Sequence, residues 1–266
     1  MSVLDHGYLL GDGVFATMRG YEGVCFRADR HLAELQRGAE LFGIELPSSP
    51  RAIAELANEA ARRTGAAHAY VRVTLTRGIP GARPTLSILA RAMNVPCEDD
   101  YASGVPAVTV GPRRIPPACF DGSIKTTSYA VQVLARREVQ QKKAGEGIML
   151  TIDGALACGT MANLFVVVGS TLFTPSLESG CRAGITRGAV LDLAPRLFDH
   201  VREERLEPSL LAEADEAFFT STRIECLPIA TVDGRPLGRG REVGRFERTH
   251  AIREAFVSLV RAETSS

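Results

Sequence analysis

The run A-Y-V-R-V-T-L-T-R at residues 69 to 77 alternates along its length. After the turn-rich G-I-P-G-A-R-P it is followed by T-L-S-I-L-A-R-A-M at 85 to 93, so the stretch reads as two consecutive strands. Two helices precede them. Residues 29 to 42 repeat Leu32, Leu35, Ala39 and Phe42 at helical spacing and stop at Gly43. A second helix is framed by Ser49 as N-cap, Pro50 at its first position and Gly65 beyond its end. The pattern predicts a small α/β domain over residues 1–93. The polar, irregular N-V-P-C-E-D-D-Y-A-S-G at 94–104 is the expected interdomain linker, and 105–266 the expected larger domain.

The second part is richer in strands. V-P-A-V-T-V runs toward S-I-K-T-T-S-Y-A-V-Q-V-L at 123 to 134, which places Lys125 just ahead of a helix that ends at Gly145. Hairpins follow: I-M-L-T-I, the turn Asp153-Gly154, A-L-A-C-G-T, then L-F-V-V-V, the turn Gly169-Ser170, and T-L-F-T-P. Residues 184 to 199 read as a helix containing Pro195; E-A-F-F-T-S-T, L-P-I-A-T-V and a closing amphipathic helix complete the chain.

Lys125 is the chemically odd residue. A helix start carries unpaired N–H groups and the positive end of the macrodipole, so an ammonium there is disfavoured. Burial would favour the neutral amine further, which is how a lysine is prepared as a nucleophile. The alternative is a solvated surface lysine, the common state of that residue.

Composition narrows the function. Lys+Arg 31 against Asp+Glu 31 leaves no net charge, and no basic run could track a phosphate backbone, so nucleic acid is not an expected partner. No apolar run reaches the length of a membrane span, and M-S-V-L-D-H-G-Y lacks the regions of a signal peptide; a soluble, cytoplasmic protein is expected. Six scattered cysteines contain no C-x-x-C and no metal-ligand spacing, so no metal site is signalled and reduced, mostly buried thiols are expected. G-D-G-V-F-A at 11 to 16 loosely matches a dinucleotide fingerprint, but it precedes a strand and does not leave one for a helix.

Taken in order, S-V-L-D-H-G-Y-L-L-G-D-G-V-F, F-R-A-D-R-H-L, Y-V-R-V-T-L-T-R-G, K-T-T-S-Y, M-A-N-L-F, R-A-G-I-T-R, F-F-T-S-T and V-D-G-R-P-L span nearly the whole chain. Together they resemble the class IV (fold type IV) pyridoxal-phosphate enzymes: branched-chain and D-amino-acid aminotransferases and aminodeoxychorismate lyase. The resemblance implies the two-domain α/β (α+β) fold type IV architecture, with a small N-terminal α/β domain and a larger strand-rich domain carrying the lysine. It implies pyridoxal 5'-phosphate as cofactor, an amino acid and a 2-oxo acid as substrates, and a homodimer. Lys125 matches the lysine that forms the Schiff base with the cofactor aldehyde, and Tyr129 the tyrosine that hydrogen-bonds the cofactor's ring oxygen. Ile185 and Thr186 match a helix start whose N–H groups hold the phosphate, a role suited to a helix terminus. Thr222 matches a second phosphate contact. Phe15, Arg19, Tyr70 and Arg72 fall where the family lines its substrate pocket; packing is the plainer reading of those four.

The chain departs from the family pattern at several places. Where the family has an arginine that grips the phosphate, H-L-A-E-L supplies Glu34. At a separation of about 5 Å and an effective dielectric near 20, that like-charge contact costs roughly 3 kcal/mol. Arg30 and Arg37, one turn to either side, are positioned along the sequence to offset it. Where the family's glutamate pairs with the pyridine nitrogen, C-G-T-M-A-N-L-F supplies Cys158, a weak hydrogen-bonding partner that implies reduced electron withdrawal. Ala16 replaces a usual glutamate and Leu10 a usual pocket tyrosine. The family's first domain also has strands ahead of the equivalent of this start, so that either the true start lies upstream or an edge of the small sheet is bare. The leading expectation is a transaminase of the branched-chain or D-amino-acid type. The alternatives are a lyase of the aminodeoxychorismate type, which uses the same lysine, and a weak or inactive homologue that keeps the fold.

Overall fold

The computed structural model describes residues 2–238 and 245–265. By its contacts the chain forms two units: Met1–Val95 with Ile124–Tyr129 and Val260–Ser266, and Pro96–Ser123 with Ala130–Leu259.

The first unit begins with α1 (His6–Leu9), β1 (Gly13–Tyr21), β2 (Val24–Cys25), α2 (Ala28–Leu41), α3 (Pro50–Arg63), β3 (His68–Thr76) and β4 (Thr85–Ala92). The strands make an antiparallel sheet in the order β2-β1-β3-β4. Because side chains alternate across a strand, Val14, Ala16 and Met18 of β1 share one face with Leu75, Val73 and Val71, their register partners on β3. That face is fully buried with Leu32, Leu35, Ala39, Ile53 and Ala57 of the two helices. At roughly 2 kcal/mol for each large apolar side chain, burial here is the main stabilising term. Ser49 caps α3 by accepting from the Ala52 N–H at 3.3 Å, and Pro50 opens the helix, as its sequence signals predict. Gly38 lets α2 approach closely, since a Cβ there would press on Val14 and Ile124 at 3.1 and 3.2 Å. The opposite sheet face carries Phe15, Thr17, Arg19 and Tyr21 against Thr74, Arg72, Tyr70 and His68, with Leu89 and Arg91 from β4.

The second unit contains α4 (Glu98–Ser103), β5 (Val105–Thr109), α5 (Ala130–Gln141), β6 (Glu146–Leu150), β7 (Leu156–Gly159), β8 (Asn163–Val168) and β9 (Thr171–Pro175). It continues with α6 (Ile185–Leu193), β10 (His200–Glu204), α7 (Leu210–Glu213), β11 (Glu216–Ser221), β12 (Glu225–Val232), β13 (Arg235–Pro236) and α8 (Glu247–Thr264). Its nine-stranded sheet runs β10-β9-β8-β11-β12-β5-β6-β7, with β13 on β12. Leu164, Val166, Phe219 and Ile229 lie in its main core. Glu216, itself buried, fastens α8: its carboxylate accepts from the Arg248 N–H, the Thr249 N–H and the Thr249 hydroxyl at 2.8–2.9 Å. The last turn of α8 belongs to the first unit, where Glu263 pairs with Arg27 at 3.0 Å.

Three local expectations are corrected. The segment read as an irregular linker contains α4, whose start closes a capping box: the Cys97 N–H donates to Asp100 at 3.0 Å, and Tyr101 is buried. The helix read over 184 to 199 ends at Leu193, where Pro195 turns the chain into a short 3-10 segment. Lys125 sits five residues ahead of α5, outside any helix and within the first unit, so no helix start accounts for it.

Candidate active site

What places Lys125 is pairing along β1. Thr126 bridges Val14, the Phe15 N–H donates to the Lys125 carbonyl at 2.8 Å, and the Thr127 N–H donates to the Gly13 carbonyl at 2.9 Å. The Thr127 hydroxyl donates to the Gly11 carbonyl at 2.7 Å. The three hydroxyl residues after the lysine therefore serve a strand-like docking, not a helix cap. Lys125 is half-buried, and its Nζ lies 5.2 Å from the centroid of the buried Phe15 ring. Tyr129 meets the same ring edge-on at 5.2 Å. The Arg72 guanidinium lies over it at 3.5 Å and donates from Nε to the Thr74 hydroxyl at 3.0 Å. Lys125, Tyr129, Phe15 and Arg72 thus form one cluster.

The remaining residues expected around the substrate continue along this sheet face. Arg19, buried, lies over the Tyr21 ring at 4.6 Å and is in register with Tyr70. Tyr70 is in turn covered by Arg91 at 4.8 Å. Arg91 was not a sequence candidate; its alternation with Leu89 on β4 was the available signal. Three guanidiniums, each laid on an aromatic ring, make this face cationic and aromatic. Glu34 is half-buried on α2, with Arg30 and Arg37 exposed on the same helix. Ala16 is buried and Leu10 is 68% exposed.

In the second unit, Ile185 and Thr186 open α6. Its N-cap is Gly184, which offers no side chain to the first-turn N–H groups. The Gly188 N–H closes the first helical bond on the Gly184 carbonyl, so the N–H groups of Ile185, Thr186 and Arg187 have no acceptor within the helix. A Cβ on Gly184 would overlap Asn163 Oδ1. Asn163 donates from Nδ2 to the Arg182 carbonyl at 2.7 Å and stands opposite Thr220 in the β8–β11 ladder. The Thr220 hydroxyl is buried with no hydrogen-bond partner among the described residues. Thr222, half-buried, follows in the β11–β12 turn. Bare helix N–H groups, an unsatisfied hydroxyl and a glycine whose Cβ space is taken fit the phosphate of pyridoxal phosphate. Arg187 contributes its backbone N–H alone, since its side chain is buried with Nη2 donating to the Pro175 carbonyl and Glu203 at 3.1 and 2.7 Å. Thr220 and Asn163 were missed by sequence reasoning, although Asn163 lies inside a quoted motif and Thr220 two residues before Thr222.

Cys158 fits less well. It sits on β7 opposite Met149, inside an apolar cluster with Val110, Val139 and Cys181. Burial pushes its thiol up to about 12, so it is neutral and supplies no charge to a pyridine nitrogen. The helix cradle by itself fits the cofactor's phosphate, while Cys158 is a thiol where the family resemblance leads to the expectation of a carboxylate.

Residues 13–232 match the amino-transferase class IV family model. A putative branched-chain-amino-acid aminotransferase of Methanocaldococcus jannaschii is 33% identical, covering 97% of this chain and 91% of its own length. The crystal structure of the Escherichia coli branched-chain amino acid aminotransferase superposes with a TM-score of 0.90 at 29% identity, over 99% of this chain and 90% of that one. A second branched-chain amino acid aminotransferase, solved with pyridoxamine 5'-phosphate, also gives 0.90, at 27% identity and the same coverage. That of the archaeon Thermoproteus uzoniensis, solved with norvaline, gives 0.88 at 29% identity, again over 99% of this chain and 90% of that one. The chain has the fold type IV architecture of these enzymes. With its paired lysine segment, its helix cradle and a family match over most of its length, the chain belongs to the class IV aminotransferases and is a pyridoxal-phosphate-dependent transaminase.

Proposed function

We propose that this transaminase moves the amino group between a branched-chain amino acid and a 2-oxo acid, with Lys125 as its reactive amine. The observation that carries the reading is the fixed position of Lys125: its backbone is paired to β1 and its Nζ stands beside the ring of Phe15. The branched-chain class is supported by the names of the relatives from Methanocaldococcus jannaschii and Escherichia coli. An apolar substrate side chain suits the half-buried ring of Tyr70, and a substrate carboxylate suits the half-buried guanidinium of Arg72.

The roles follow from the chemistry of each group. The Lys125 amine would hold the cofactor, and Lys125 would take the proton from the substrate α-carbon and return one to complete the exchange. Tyr129 orients the cofactor ring through its hydroxyl. The N–H groups of Ile185 and Thr186, with the Thr222 hydroxyl, hold the phosphate; Glu34, in place of an arginine, weakens that hold. Tyr70 lines the substrate side with Phe15, Arg19 and Arg72. The bound cofactor supplies the electron sink that makes the α-proton acidic, and Cys158 leaves that sink weaker than a carboxylate partner would. We further propose a homodimer in the cytoplasm. The exposed Val3, Leu4, Tyr8, Leu9 and Leu10 give the first unit an apolar patch of the kind that marks an interaction surface.

Purified protein tests the reading. Visible absorbance that borohydride fixes onto the Lys125 peptide, with leucine, isoleucine or valine outperforming D-alanine as donor, is expected. Protein that stays colourless with added pyridoxal phosphate, or that releases pyruvate from aminodeoxychorismate, would overturn it.

A further inference from the structure

We propose that Arg72 is a positioning residue for Lys125: acting across the shared Phe15 ring, its fixed charge favours the unprotonated, nucleophilic form of the lysine amine. The inference rests on the reading of Lys125 as the reactive group and adds a residue that prepares it. Arg72 lies 3.5 Å and Lys125 Nζ 5.2 Å from one ring centroid, so wherever the two lie around the ring their charges are no more than about 9 Å apart. The more tightly stacked cation is the arginine, also fixed through Nε to Thr74. An arginine keeps its charge throughout the range in which a lysine titrates, so where the two compete it is the lysine that releases its proton. Lys125 cannot easily retreat, because its backbone carbonyl accepts from the Phe15 N–H at 2.8 Å. At that distance and an effective dielectric near 20, the repulsion lowers the proton affinity of the amine by about one pH unit, roughly tenfold more free amine at a given pH.

The other charged and titratable groups on this face are Arg19 and Tyr21 on β1, Tyr70 and His68 on β3, Arg91 on β4 and Tyr129 on the lysine's own segment. The neighbouring α2 carries Arg30, Glu34 and Arg37. Arg72 is distinguished from the other cations among them by lying on the ring that Lys125 also approaches.

The test is read on the amine itself and requires no turnover. The full-length protein, freed of cofactor, is acylated in trace amounts across the neutral to alkaline range, and modification of the Lys125 peptide is followed by mass spectrometry. Arg72→Gln, and Arg72→Met, which keeps an apolar stem on the Phe15 ring, should each raise the midpoint by about one pH unit. Arg72→Lys, whose cation itself titrates in this range, should shift the midpoint by less than either. Midpoints for Arg72→Gln and Arg72→Met equal to the parent's, or an Arg72→Lys shift as large as theirs, would overturn the proposal. Borohydride fixation on Lys125 is scored separately, so a wrong assignment of the reactive lysine cannot be mistaken for a wrong role of Arg72.

Discussion

The backbone N–H of Phe15 donates to the carbonyl of Lys125 at 2.8 Å, and the ring of that same phenylalanine stands 5.2 Å from the Lys125 ammonium nitrogen. One residue thereby sets both the backbone and the side chain of the amine. Phe15 is 4% exposed, so the ring is itself held by packing.

Gly184 is required for the space it leaves, since its φ of −64° suits any residue. Gly184→Ala sets a methyl group against Asn163 and should cost about 1–3 kcal/mol in denaturant unfolding. Loss of affinity for pyridoxal phosphate should accompany it, and an unchanged affinity would show that this helix start is not the phosphate cradle.

On the proposed role of Glu34, replacing it by glutamine removes a like-charge contact with the cofactor's phosphate. Removing a repulsion of roughly 3 kcal/mol should tighten cofactor binding by about a hundredfold in an absorbance titration. An unaltered dissociation constant would place Glu34 away from the phosphate.

Stability should fall at alkaline pH. Burial pushes the thiols of Cys25 and Cys158 from 9.0 up to about 12, so between those values the folded chain holds protons that the unfolded chain has released. Stability from each thiol is complete below pH 9.0 and is lost as pH rises toward about 12, by roughly 1.4 kcal/mol per pH unit. Cys158→Ala should flatten that slope in urea unfolding across the interval. At neutral pH a thiol reagent should label the exposed Cys97 and Cys119 first.

Glu216→Ala should destabilise the second unit by about 3 kcal/mol, because three donors at the start of α8 lose their acceptor. Glu216→Gln, which keeps one acceptor oxygen, should lose less, and equal losses in the two variants would show that the hydrogen bonds are not what Glu216 contributes.

Local signals made most elements legible. Ser49, Pro50 and Gly65 frame α3, and the Asp-Gly turn at 153 and 154 joins β6 to β7, because caps and tight turns are written within a few residues. Non-local pairing was not legible. Thr126, Thr127 and Ser128 carry hydroxyls that suit a helix start, and nothing near them records that the backbone here pairs with Gly13 and Val14 while the Thr127 and Ser128 hydroxyls donate to the Gly11 carbonyl. H-V-R-E-E at 200 to 204 forms β10 on the sheet edge without an alternating apolar pattern, since an edge strand with mostly exposed side chains needs none. The candidate residues were found through motifs, whereas Thr220 and Arg91 became visible only once strand registers set them beside Asn163 and Tyr70.

The first unit is assembled from three separate stretches of chain, and the stretch bearing Lys125 is six residues long. A fragment cut after Val95 would leave the Phe15 N–H and the carbonyls of Gly11 and Gly13 without the partners that the lysine segment gives them. The small unit is therefore not a transplantable module: recombination at the apparent boundary would separate β1 from the amine it holds, so the pair must be inherited together.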